Sequence, residues 1–181
     1  EAAEDQGWAW FELDRIDQAA GGSPPADVDA LRLFAVVLGH WDNKSENQRL
    51  VCPPGQDGPG ASCAEPVAVM QDVGATFGPL KLDLPNWRAT PVWRDAAACR
   101  VSMKSQPFAG GTFPDRQISE AGRTALLRLL QRLSDAQLAE LFTASGATAY
   151  DAVNAEGRHA EVTASGDERR QHTGGSPNLT T

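Results

Sequence analysis

His40-Trp41-Asp42-Asn43-Lys44-Ser45-Glu46-Asn47 packs an imidazole, a carboxylate, an ammonium and a carboxamide into one short polar segment. A carboxylate beside a hydroxyl orients it or accepts its proton. A carboxamide oxygen and a second carboxylate suit Mg2+, which takes few protein oxygens and leaves its other positions to water or phosphate. A lysine near the first carboxylate offsets charge on a transferred group. Asp42, Asn47 and Lys44 supply three members of that set, and Asp72, followed by Val73 and Gly74, supplies the fourth. His40 is expected as scaffold, hydrogen-bonding backbone to hold the loop. The chemistry that fits is phosphoryl transfer, in which a protein mainly positions and neutralises dense charge.

Such a set works only if rigid elements aim it. An apolar run over residues 31–38 leads into the octet. Asp27 is the expected N-cap of the helix that carries this run, with Asp29 in its first turn. From residue 33 the helix is apolar nearly all round, as a buried element should be, and Gly39 ends it. Residues 49–52 and 66–70 read as two strands of a hairpin with a long Gly/Pro-rich connection. Asn47 stands just before the first strand and Asp72 just after the second, so the hairpin is expected to bring them together. Gly74 supplies a flexible turn behind Asp72.

The remaining segments read as support. Apolar positions at Trp8, Trp10, Phe11, Leu13 and Ile16 fit neither period, which predicts a short strand or a turn of helix before a break at residues 21–25. Residues 79–117 are loop-rich, anchored by Trp87 and Trp93, with one strand over residues 99–104. Ser119 opens an amphipathic helix to Leu133, with Ile118, Leu126, Leu129, Leu130 and Leu133 on or near one face. Ser134 and Gln137 form a capping-box pattern that starts a second helix, carrying Leu138, Leu141 and Phe142 and stopping near Gly146. The two helices are expected to cover the core. After Tyr150 large apolar residues nearly vanish, which predicts a disordered or weakly ordered tail holding His159 and His172. The expected organisation is one α+β unit over residues 1–146 and a tail over 147–181.

A net charge of -8 argues against a nucleic-acid partner, since phosphate backbones call for a basic face. It leaves room for a nucleotide, which needs only local cations or a metal. No apolar run approaches the roughly 20 residues that span a bilayer. Of the three cysteines, Cys52 and Cys63 flank the hairpin connection. They read either as a disulfide, which would point to an oxidising compartment, or as free thiols; the absence of a Cys-x2-Cys pair argues against zinc.

The octet resembles the catalytic loop of the protein kinase-like superfamily, H-x-D-x-K-x-x-N, and Asp72-Val73-Gly74 is similar to the metal-binding D-F-G that follows it. The resemblance covers about 40 residues, ending at Gly78. It implies a mostly helical kinase-like C-terminal lobe whose short antiparallel hairpin carries the metal site. It makes Asp42 the catalytic aspartate, Lys44 the phosphate-contacting lysine, and Asn47 and Asp72 ligands of Mg2+ on bound ATP, with an unknown phosphoacceptor. Trp41 stands where arginine is usual, Val73 replaces phenylalanine, no A-P-E follows, and the connector is long. These departures match atypical branches (lipid-kinase-like, HipA-like or secretory-kinase-like) better than eukaryotic-type protein kinases. Nothing before residue 27 resembles a phosphate-gripping Gly-rich strand pair. The chain is therefore expected to be a large-lobe fragment of a longer protein, lacking its N-terminal lobe and inactive alone. Two other readings stand beside it: a kinase-like binding module without catalysis, and an extracytoplasmic structural domain stapled through Cys52 and Cys63.

Overall fold

Pro25 starts the first long element of the chain. In a computed structural model, which describes residues 7–54, 63, 65–77, 84–106 and 110–144, helix α1 runs over Pro25–Leu38. The expected N-cap, Asp27, lies inside it, in the first turn, and the Pro24 carbonyl accepts the amides of Asp27 and Val28 at 2.9 and 3.2 Å. The helix starts early because a proline at its first position is preset to helical φ and lacks an N–H that would go unpaired. Leu33, Ala35, Val36 and Val37 are buried, as the apolar run requires.

Among the described residues the fold is mixed α and β, with two separate two-stranded antiparallel sheets. The chain divides into two units that it threads between: Glu1–Ser23, Leu38–Trp87 and Ser102–Asp115 form the first, and Pro24–Val37, Arg88–Val101 and Arg116–Thr181 the second. Among the described residues no helix is long and apolar enough to cross a membrane.

In the first unit the aromatic run near the start forms a 3₁₀ turn, Trp10–Arg15. Trp10 is fully buried, 5.0 Å from the Trp8 ring and 5.3 Å from Phe113, centroid to centroid. Strands β1 (Gln48–Val51) and β2 (Val67–Met70) pair with Gln48 opposite Met70 and Val51 opposite Val67. A disulfide joins Cys52 and Cys63, with Cα atoms 5.8 Å apart, just beyond the outer end of this ladder. Two strands alone are marginal in water, and Leu50, Val51 and Val67 on the outer half are exposed. The cross-link therefore braces the end of the hairpin that packing does not hold. A short helix, α2 (Leu84–Ala89), buries Leu84 and Trp87 in a region whose composition suggested only loop.

In the second unit Trp93 is buried, as expected of an anchor. The strand expected over residues 99–104 shrinks to β3 (Arg100–Val101), which pairs with β4 (Arg116–Gln117). Helix α3 (Glu120–Leu130) is capped by the Ser119 hydroxyl, which accepts the Gly122 amide at 3.1 Å. Its buried stripe is Gly122, Arg123, Leu126 and Leu127; of the face read from the sequence, Ile118 and Leu126 are buried as expected and Leu129 and Leu133 are not. Leu129 falls at the margin of that stripe and is 57% exposed, and Leu133 lies past the last turn. The stripe is set by a close approach: a Cβ on Gly122 would lie 2.3 Å from the Asp29 Cβ of α1. Asp29 accepts the Ser119 amide at 3.0 Å, and Arg123 pairs with Glu120 one turn earlier. The Ser134–Gln137 capping box forms as expected and opens α4 (Asp135–Ala144). Leu141 of α4 is exposed, so this residue does not cover a core as expected. Gly78, Gly146 and the tail of residues 147–181 lie outside the described residues.

Candidate functional site

Gly39, at φ 64°, is the left-handed residue that ends α1 and turns the chain into the octet. Every residue assigned a role from the sequence lies in the first unit. Asp42 is part-exposed, and its Oδ1 pairs with Lys44 Nζ at 3.2 Å. A pair this open to solvent adds little stability, but it keeps an ammonium beside the carboxylate.

Residues Ser45–Asn47 make one 3₁₀ turn, closed by the Asn47 amide donating to the Lys44 carbonyl at 3.1 Å. The turn swings Asn47 back, and its Nδ2 donates to the Asp42 carbonyl at 2.5 Å. With Nδ2 committed, the amide presents its Oδ1, an oxygen with acceptor capacity only. The Asn47 carbonyl in turn accepts the amides of Gln71 and Asp72 at 3.0 and 3.1 Å. The hairpin therefore returns Asp72 to Asn47, as its register requires. Asp72 Oδ1 accepts the Gly74 amide at 2.9 Å, an Asx turn that holds the carboxylate of this exposed residue. Gly74 thus shapes the Asp72 turn through its backbone. Three residues after Gly74, the Phe77 amide donates to the Leu38 carbonyl at 2.7 Å, tying this segment to the end of α1.

Among the described residues no three His, Cys, Asp or Glu side chains gather as a metal cage. Asn47 and Asp72, neighbours through their backbones at one hairpin end, offer a smaller set of hard-oxygen donor types, a carboxamide and a carboxylate. That set fits Mg2+, which keeps several positions for water and substrate oxygens.

Beneath the exposed residues lies a buried layer that the sequence did not reveal. Asn43 is fully buried. Its Nδ2 donates to the carbonyls of His40 and Trp41, both at 3.1 Å, and its Oδ1 accepts the amides of Thr112 and Phe113 at 2.8 and 2.9 Å. The Thr112 hydroxyl donates to the Asn43 carbonyl at 2.9 Å, and also accepts the Trp10 amide. Gln48, also fully buried, donates to the Lys44 carbonyl at 3.1 Å and faces His40 Nε2 at 3.3 Å. His40 is fully buried as well, so it touches no ligand. Its ring meets a side-chain amide where a backbone partner was expected. The only hint in the sequence was that both carboxamides abut residues of the motif.

Burial pushes the His40 imidazole below its usual 6.5, and the charges of Asp42 and then Asp72 only partly offset this. The unfolded chain therefore binds a proton at a pH where the folded one does not. Stability is complete above about pH 6.5 and falls as the pH drops from there towards the lowered folded value. Urea midpoints measured across that window should fall with acidification, and His40→Gln should flatten the slope.

Comparison of the chain with family models, with curated proteins and with solved structures returned no match.

Proposed function

We propose that the chain is the catalytic-lobe portion of a kinase-like phosphotransferase that uses ATP and Mg2+ and belongs with the atypical branches. The observation that carries this reading is the double hydrogen bond from Gln71 and Asp72 to the Asn47 carbonyl, with Asn47 Nδ2 on the Asp42 carbonyl. These bonds hold the backbones of Asp42, Asn47 and Asp72 next to one another, which supports a shared site for their side chains. Asp42 orients the acceptor hydroxyl and takes its proton. Lys44, beside it, offsets charge on the transferred group. Asn47 and Asp72 hold the divalent ion, which neutralises phosphate charge when bound. His40, buried, supports the loop from below, and Gly74 sets the Asp72 turn.

The test separates binding from turnover in the full-length protein. Asp72→Ala should weaken Mg–ATP binding by about ten- to a hundredfold, the range of a lost charge-assisted contact. Asp42→Asn should leave binding intact and cut turnover by about 10²- to 10⁴-fold. Unchanged Mg–ATP affinity in Asp72→Ala would remove the metal assignment.

The disulfide favours a second reading, a structural domain of an oxidising, extracytoplasmic compartment. Alkylation followed by mass spectrometry should label two further cysteines only after reduction. Labelling of Cys52 and Cys63 without reductant would end that reading.

A further inference from the structure

We propose that Gln48 is a positioning residue for this site: its buried carboxamide locks His40 as the Nδ1–H tautomer and clamps the Lys44 carbonyl that aims Asn47. The inference deepens the phosphotransferase reading, but its first half stands on hydrogen bonding alone. Gln48 Nε2 lies 3.1 Å from the Lys44 carbonyl oxygen and 3.3 Å from His40 Nε2. A carbonyl can only accept, so the group facing it must be the NH2 end of the amide. Turning the amide over would set two acceptor oxygens against each other in a fully buried place. The second hydrogen of the same nitrogen then points at His40 Nε2, which must offer a lone pair. The proton of the neutral ring is therefore assigned to Nδ1, a buried atom that meets no hydrogen-bond partner among the described residues.

The clamp has a second consequence. The Lys44 carbonyl has two lone pairs and accepts two bonds, one from Gln48 Nε2 and one from the Asn47 amide. The Asn47 bond closes the 3₁₀ turn that carries the carboxamide to Asp42 and the hairpin end. Gln48 thus fixes the geometry of Asn47 from beneath, without touching a ligand itself. An unbranched apolar side chain of similar length fills the same volume and donates nothing, leaving a buried carbonyl lone pair unsatisfied.

The experiment uses the full 181-residue chain, 15N-labelled, with His159→Gln and His172→Gln so that His40 is the one histidine left. Long-range 1H–15N spectra at about pH 7.5, where the ring is neutral, report which nitrogen is bare. The expected result is a bare Nε2 and a protonated Nδ1. Gln48→Met, checked for folding by its thermal melt, should lose this preference and give a mixture of tautomers. Gln48→Glu, which presents acceptors only, should move the proton to Nε2. In the full-length protein, Mn–ATP affinity should drop about tenfold in Gln48→Met, the worth of one buried hydrogen bond. A protonated Nε2 in the unsubstituted protein overturns the proposal, as does an unchanged Nδ1–H tautomer in folded Gln48→Met. Unchanged Mn–ATP affinity in a Gln48→Met protein whose tautomer has shifted overturns the positioning role. Absence of Mn–ATP binding in the full-length protein before any Gln48 substitution defeats the phosphotransferase reading instead, and the tautomer assignment survives it.

Discussion

Asn43→Ala is expected to destabilise the protein by about 3–5 kcal/mol, against a loss of well under 1 kcal/mol for an ordinary surface asparagine. The reason lies in what alanine leaves behind. Two backbone amides, of Thr112 and Phe113, lose their acceptor, and two carbonyls, of His40 and Trp41, lose a donor. Asn43 has no solvent exposure, and a buried polar group without a partner costs about 1–3 kcal/mol. The four losses share one network and will not add in full, which sets the upper figure. Set beside a total stability of about 5–15 kcal/mol, the change threatens the fold. Urea unfolding followed by tryptophan fluorescence reads it directly, since Trp10 packs on Phe113 next to the severed contacts. A loss under about 1 kcal/mol would mean that Asn43 does not join the octet to the 110–113 segment.

That expectation was not available from the sequence, and the reason is physical. The octet stood out because the chemistry proposed for it asks for residue types at fixed separations, and separations survive in a string of letters. The hairpin was legible too, because two apolar runs with a turn-rich link leave few ways to pair, and the register sets Gln48 against Met70 as the spacing implies. Asn43 and Gln48 carried no such signature. In a loop no periodicity reports which side chain faces inward, and asparagine in a loop is ordinarily solvated. What buries Asn43 is a segment 69 residues away, and a contact of that separation leaves no local pattern. The face of α3 was read only in part, with Ile118 and Leu126 buried but Leu129 and Leu133 exposed, for a related reason. A run of leucines draws attention, yet here a glycine sets the rotation of the helix by allowing the closest approach. Asp27 was misplaced because an acidic residue scores as a cap wherever it stands near a helix start, while Pro25 settles the start by its fixed φ.

Gly7→Ala should cost several times more than the same change at Gly21, and comparing the two separates packing from backbone strain. Gly21 sits at φ 90° with nothing within 4 Å of a built Cβ. Alanine there meets only the left-handed penalty, about 1 kcal/mol. At Gly7 a Cβ would fall 1.7 Å from the Ser45 carbonyl oxygen and 2.2 Å from that of Gln48. Both are backbone atoms of the turn and strand that carry Asn47, so neither swings aside as a side-chain tip would. The segment must lift away, and with it go the indole of Trp8, which donates to the Arg49 carbonyl at 3.0 Å, and the Trp10 amide on the Thr112 hydroxyl. Lost burial of one tryptophan alone is worth about 3–5 kcal/mol. The expected outcome is therefore a loss of about 3 kcal/mol or more in urea unfolding for Gly7→Ala. Mg–ATP affinity of the full-length protein should weaken as well, because the displaced turn is the one that holds Asn47, the proposed metal ligand. If both variants unfold at the same urea concentration, the chain near Gly7 does not rest on the Ser45–Asn47 turn, and the octet must draw its rigidity from Asn43 and Gln48 alone.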